Sequence, residues 1–328
     1  MTQEITNSSF HDAEQQAREL SLLMPELILS ARQIAQTLVH GSHGRKRAGP
    51  GETFWQFRPY ENFEPMQNID WRRSASSDHL YVREREWDAA HTFWLWIDLA
   101  PSMWFQSHQV DVSKAVRAIV IGLAIAEMLV RSNERVGVLG LMRPRTGRDI
   151  LPRIGERLID GLKAKRFDGS LPMDESISKF SEVILISDFL DDFDKLDTGF
   201  RKIGSQQTGG TIMHIIDPAE ESLPYHGRVE FKDMKQSQKI IIENADNIRA
   251  RYAIAFRDHK ARLAETLRQL NWGYLEHHTD KPSRQALLHL YGFLSSNYYK
   301  TGAMNHAGGH EIDESISSSQ TLSEEISL

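Results

Sequence analysis

Between His91 and Met103 the chain reads His-Thr-Phe-Trp-Leu-Trp-Ile-Asp-Leu-Ala-Pro-Ser-Met. Phe93 to Ile97 is unbroken bulky apolar sequence, and it stops at a carboxylate, Asp98, with a hydroxyl following at Ser102. A strand with no polar alternation needs cover on both faces, which is the situation of a central strand in a parallel sheet flanked by helices. An acid that ends such a strand lies at the carboxyl edge, where open α/β sheets place their ligands. Asp98 and Ser102 then face one crevice as two oxygen donors, the donor type that hard divalent cations prefer.

The same pattern recurs downstream. An apolar helix over Ser113 to Arg131 precedes a strand over Arg135 to Met142 and a helix over Pro152 to Lys163. After a short helix at Met173 to Phe180, the strand Val183 to Ile186 ends in Ser187-Asp188, and Thr211 to Ile216 ends in Asp217-Pro218. Extra strands are expected within Tyr225 to Ile242, then a helix (Ala245 to Leu270), a strand (Trp272 to His277) and a last helix (Ser283 to Ser296). Strands alternating with helices at this spacing make an α/β fold, a mostly parallel sheet flanked by helices. Upstream, Asp12 to Val39 repeats leucine and isoleucine at helical spacing, with Pro25 as a kink or break. Thr53 to Phe57 and Leu80 to Trp87 read as short strands. The expected division is a helical segment over 1–40, a small β-rich segment over 41–90, an α/β domain over 91–300 and an acidic tail over 301–328. That tail has five acids and no Lys or Arg, too little apolar surface to order itself.

Several function classes drop out. The absence of cysteine removes disulfides, thiolate metal sites and cysteine nucleophiles. A formal charge of −6 argues against a nucleic-acid protein, which carries a basic face. The longest apolar run, Ala118 to Val130, is interrupted by Gly122 and Glu127 and falls short of the roughly 20 residues a membrane span needs. With no secretory pattern in Met1 to Glu19, the expectation is a cytoplasmic chain without membrane insertion. The glycine-rich segment Gly41 to Gly51 lacks the Gly-Lys-Ser/Thr ending of a phosphate-binding loop. No His-Glu-x-x-His or Gly-x-Ser-x-Gly motif is present either.

Two readings of the acid-ended strands stand side by side. In one, Asp98, Ser102 and Asp188 converge on a Mg²⁺ or Mn²⁺ that keeps several waters. In the other, they cap the helices that follow.

Asp98 to Ser102 resembles the metal-ion-dependent adhesion motif, Asp-x-Ser-x-Ser, of von Willebrand factor type A domains, and the element order from residue 90 to about 296 is similar to that fold. Upstream, Gly49 to Phe54, Phe57-Arg58-Pro59-Tyr60, Ile69-Asp70-Trp71-Arg72-Arg73-Ser74-Ala75 and Leu80 to Glu84 resemble, in order, the signature of the bacterial "domain of unknown function 58" family. The resemblance covers about residues 36 to 296. It implies a von Willebrand A-like domain with a family-specific segment before its first strand. It also implies a role as accessory factor to a MoxR-type AAA+ ATPase in assembling or maturing protein complexes, with an unidentified protein client. Many relatives carry amino-terminal transmembrane helices, and none is evident here.

Carried over residue by residue, the implied metal ligands are Asp98, Ser102 and Asp188, with Ser170, in Asp168-Gly169-Ser170, the candidate for the second-loop hydroxyl. Ala100 replaces the first motif serine and removes one ligand. Arg58, Arg72 and Arg73 form a candidate docking surface for an acidic partner, with Asp70 expected to pair with an arginine and Trp71 to anchor the segment. The leading expectation is a non-enzymatic interaction module whose metal accepts a partner carboxylate. A metal-dependent hydrolase using the same acids and a metal-free structural or regulatory subunit are the alternatives.

Overall fold

A computed structural model describes residues 13–41, 54–60, 66, 69–77, 79–85, 90–172, 175–232 and 239–294. Its centre is a six-stranded sheet made of β3 (Thr92–Ile97), β4 (Arg135–Val138), β5 (Met142–Arg145), β6 (Glu182–Ser187), β7 (Gly209–Ile216) and β10 (Gly273–His278). The order across the sheet is β10-β7-β6-β3-β4-β5, and every pairing is parallel except that of the edge strand β5. Renumbered within the sheet, this is the doubly wound order 3-2-1-4-5-6. The mixed α/β architecture with a mostly parallel sheet is as the apolar strands require.

Alternate residues of each strand feed opposite cores. Phe93, Leu95, Ile97, Ile184, Ile186, Met213 and Ile215 face α3 (Lys114–Arg131) and α4 (Ile150–Lys163). Trp94, Trp96, Val183, Leu185 and Ile212 face α5 (Phe193–Gly204) and α7 (Asp246–Gln269). A helix at 283–294 closes the first core through Ala286, Leu287 and Leu290.

The amino-terminal helix α1 (Ala13–Gly41) runs unbroken through Pro25. Its stripe of Ala17, Leu20, Met24, Leu27 and Ala31 is buried in the same core as α3 and α4. The approach to α4 is close: a Cβ on Gly155 would stand 2.7 Å from the Met24 sulfur and displace that side chain. The β-rich segment forms its own antiparallel pair, β1 (Phe54–Pro59) with β2 (Tyr81–Arg85), with a single helical turn, α2 (Trp71–Ser74), beside it. Two further strands, β8 (Val229–Lys232) and β9 (Lys239–Ile242), make a small hairpin after a short helix, α6 (Pro218–Ser222).

Two sequence expectations need correction. The strand expected over Arg135 to Met142 is a hairpin: the chain reverses at Gly140, whose φ of 72° suits glycine, and continues as β5. No helix occupies residues 175–180; Phe180 there is 77% exposed and left-handed, with φ 60°. The acidic tail and most of the glycine-rich segment lie outside the described residues.

Because Leu20 is 1% exposed within the principal core, Leu20→Ala is expected to cost about 2–5 kcal/mol. The loss should shift the whole urea transition; a separate early transition for α1, followed by circular dichroism, would contradict this packing.

Candidate functional site

In the doubly wound order, β3 and β6 flank the point where the winding reverses, and ligands bind at the carboxyl ends of the strands there. Asp98 follows β3 directly and Asp188 follows β6, with the Asp98 amide donating to the Ile186 carbonyl at 3.0 Å. Ser102 lies in the 3-10 turn Pro101–Trp104 immediately after Asp98. Its hydroxyl is near enough to the Asp188 carboxylate to favour that group's ionised form, behind the larger effect of Lys114. The structure therefore brings Asp98, Ser102 and Asp188 together.

The centre of this cluster is a residue that the sequence reading passed over. Lys114 opens α3, directly after the Ser113 cap that accepts from the Val116 amide. Its side chain has no exposure, and Nζ donates to Asp188 Oδ2 at 2.8 Å and to Glu220 Oε1. The Phe105 ring lies below, its centroid 5.7 Å from Nζ. Burial works against the Lys114 charge, but Asp188 and Glu220 outweigh it and hold the ammonium above the usual lysine range. Burial likewise opposes ionisation of Asp188, and Lys114 overcomes it, so Asp188 stays below the ordinary carboxylate range.

Each acid is also held on its other side. Asp188 Oδ1 accepts the Leu190 amide at 3.3 Å. Glu220 Oε2 accepts the Asp217 amide at 3.1 Å, half of a capping box in which Asp217 starts α6 and accepts the Ala219 amide. The other Asp217 oxygen takes the Ser107 amide at 2.9 Å. Three core strands, β3, β6 and β7, thus end in aspartates, and the network of their neighbours runs through one ammonium. The turn that aims Asp188 puts the next residue, Phe189, at φ 46°, a costly conformation for a bulky side chain. Packing of its buried ring against Trp96, Phe200 and His214 holds it there.

Asp98 is 1% exposed. Oδ1 accepts the Ala100 amide at 2.8 Å and Oδ2 the Ser187 hydroxyl at 2.7 Å. Burial, with the Asp188 charge second, pushes Asp98 up to about 7. His214, on β7, is also completely buried, and burial takes it down to about 3. Its Nδ1 is 2.9 Å from the Tyr274 hydroxyl, and that hydroxyl donates to Glu276. It is a neutral core imidazole without a path to a substrate.

The donors as arranged fit a divalent cation poorly. Mg²⁺ demands near-octahedral oxygen ligation, yet both Asp98 oxygens are turned to donors within the chain, Ala100 offers no hydroxyl, and an ammonium already stands between Asp188 and Glu220. Among the described residues, no group of three or more His, Asp and Glu side chains is placed to hold a metal ion. Ser170 does not join the cluster. It is exposed, its amide bonds Asp168, and it lines a cavity of about 850 Å³ with Trp94, Arg135, Arg143 and Arg166.

The arginine segment also differs from expectation. Asp70 caps α2 by accepting the Arg73 amide at 3.0 Å, and Trp71 is 61% exposed, so it anchors nothing by burial. Arg72 and Arg73 are exposed, and Arg73 stacks over Tyr81, 5.7 Å from the ring centroid. The Arg58 side chain lies outside the described residues. Lys114 was detectable in the sequence by its place. A lysine at the first position of an apolar helix opposes the helix dipole, and such a cation needs an acid nearby.

Residues 56–262 match the family described as "Protein of unknown function DUF58". Uncharacterized proteins of Mycobacterium bovis and Mycobacterium tuberculosis are each 25% identical to this chain over 278 residues, covering 80% of it and 86% of their own length. Two solved structures are more distant. An aerotolerance-related membrane protein from Bacteroides fragilis aligns at 15% identity and TM-score 0.34 over 62% of this chain and 98% of its own. The conserved hypothetical protein BatB from Bacteroides thetaiotaomicron aligns at 13% and 0.33 over 63% and 100%. These two likenesses are too weak to bear on fold or role. No helix among the described residues is long and apolar enough to cross a membrane.

The raised Asp98 has a definite consequence for stability. Between the ordinary carboxylate range and about 7 the folded state keeps a proton that the unfolded state has released. The contribution of this group therefore declines as pH rises through that window. Asp98→Asn removes the titration, so the stability of the variant relative to wild type should increase by roughly 1–3 kcal/mol from about pH 5 to about pH 8. Urea midpoints of both proteins at the two pH values check this. The comparison cancels Glu182, which burial also raises to about 7, and a flat difference would contradict the assignment.

Proposed function

Since this chain belongs to the family described as Protein of unknown function DUF58, we propose that it is a non-enzymatic protein-interaction module. It acts as an accessory factor to a MoxR-type AAA+ ATPase in assembling or maturing protein complexes, on a von Willebrand factor type A-like domain. The ATPase and its class of work are implied by the family resemblance. The observation that supports a non-enzymatic role is the inward commitment of the switch-point acids. Asp98 and Asp188 are 1% and 2% exposed, and Asp98, Asp188 and Glu220 all accept hydrogen bonds from within the chain. A general base must reach the proton it abstracts, and these do not. The pKa of Asp98, near neutrality, suits proton transfer, but its burial argues against that use.

The docking face in this reading is the rim of the same edge, metal-free. Leu190, in the loop after β6, is 40% exposed there, and the turn at Pro101–Trp104 follows β3 at the same carboxyl edge. Arg72 and Arg73 offer a second, basic surface for an acidic partner segment. No nucleotide motif is present in the chain, so ATP hydrolysis belongs to the partner.

The test is capture of a purified MoxR-type ATPase from the same organism by the full chain, with ADP or a non-hydrolysable ATP analogue, in Mg²⁺-containing buffer for the ATPase. Retention that depends on nucleotide and drops at least about tenfold, roughly 1.4 kcal/mol, in Leu190→Arg or in the Arg72→Glu/Arg73→Glu variant is the expected outcome. The proposal fails if no nucleotide state retains the ATPase, or if the pure chain turns over phosphoester or peptide substrates.

A further inference from the structure

Two carboxylates and a hydroxyl at the sheet's switch point, with a lysine buried between them, raise the question of what the lysine is for. An ordinary stabilising ion pair is a poor explanation. Removing two charges from water costs several kcal/mol per ion, and well-packed apolar residues often do as well or better. The position is adverse too, because the first turn of a helix is the positive end of its dipole, and Lys114 is the first residue of α3.

We propose that Lys114 is the built-in occupant of a cation site. Its ammonium stands between Asp188 and Glu220 where a divalent ion would otherwise sit, so the wild-type chain holds this edge assembled without metal. Three features converge on this. Asp188 and Glu220 each give one oxygen to Nζ and the other to a backbone amide, which fixes both carboxylates around a single cation position. The Ser102 hydroxyl favours the ionised form of Asp188 from nearby. The third is that Ala100 contributes no side-chain oxygen while both Asp98 oxygens are taken by the Ala100 amide and the Ser187 hydroxyl. A tethered ammonium also differs from a metal in what it leaves open. Lys114 has no exposed surface, so no ligand position remains for a partner's carboxylate, and docking at the rim proceeds by packing and surface charge. The proposal concerns the same edge as the interaction function but does not depend on finding the ATPase, since every readout below is on the isolated chain.

The test is thermal unfolding of full-length wild type and Lys114→Ser in EDTA, then with Mg²⁺ or Mn²⁺, with Mn²⁺ binding followed by electron paramagnetic resonance. Wild type should show no change in Tm and no Mn²⁺ bound at this edge. Lys114→Ser, which clears the cation position and adds a hydroxyl, should melt lower in EDTA. It should rise by roughly 4–8 °C at Mn²⁺ about 100-fold above its dissociation constant, and adding Asp188→Asn should abolish that rise. Should Lys114→Ser not fold, Lys114→Ser/Glu220→Gln, which leaves one carboxylate at the position, carries the same comparison. The proposal is overturned by wild type binding Mn²⁺ in an Asp188-dependent manner. It is equally overturned if the folded variant ignores the ion, which would make Lys114 a plain buried ion pair, or if neither variant recovers its fold with either ion.

Discussion

One ammonium group without access to water holds three parts of this molecule in register. Lys114 extends from the start of α3 to the acid that ends β6 and to the glutamate inside α6, and α6 is itself capped by the acid that ends β7. Removing any one partner strands a buried charge, which is far more damaging than never having had the pair. The strand ends at the carboxyl edge are therefore coupled: a displacement of α6 is felt at Asp188, whose charge in turn raises Asp98. Networks of this kind rigidify when every member is satisfied, and here Asp188, Glu220 and Asp217 have their oxygens accounted for within the chain.

The placement of this network follows from the sheet. A strand covered on both faces has no solvent side on which to put polar groups, so polarity collects at its ends. β3 supplies Trp94 and Trp96 to one core and Phe93, Leu95 and Ile97 to the other, and its first polar side chain after Ile97 is Asp98. β6 and β7 obey the same rule with Ser187-Asp188 and Asp217. Because the winding reverses between β3 and β6, no crossover helix covers their shared edge, and the acids cluster in the gap. α3, leaving from the loop after Asp98, reaches that gap with its first residue.

Much of this was legible in advance, and the failures have separate physical causes. Continuous apolar runs identified β3, β6 and β7 together with the helices around them, because burial on both faces leaves an unambiguous pattern. The same signal misled at Arg135 to Met142, where an edge hairpin turning at Gly140 is as apolar as a single strand. The loop between α4 and β6 has no periodicity, so nothing in the pattern checked the carry-over of Ser170 from the family resemblance as second-loop hydroxyl; it lies on a different cavity. Pattern reading passed over Lys114 because a lysine near a helix start ordinarily projects into water, and its adverse place on the helix dipole does not say which acids it meets. Its burial depends on Asp188, distant by 74 residues, and Glu220, distant by 106, and nothing local encodes that meeting.

With no hydroxyl at Ala100 and an ammonium at Lys114, the proposed cation site has its charge supplied by the chain itself. A divalent cation stabilises neighbouring acids only while it is bound, so its occupancy follows ion concentration and competes with protons. A tethered ammonium has an effective concentration set by the fold, and its cost is met once, on folding. An edge organised in this way cannot be switched by metal, nor can a partner's acid complete its coordination. In the proposed reading, control of association comes from outside the cluster, through the exposed rim at Leu190 and the arginines of α2 or through conformational change in the partner. On the same reading an ATPase whose surface changes with its nucleotide would supply control of that kind, and a rigid, metal-independent module would give it a constant face to grip.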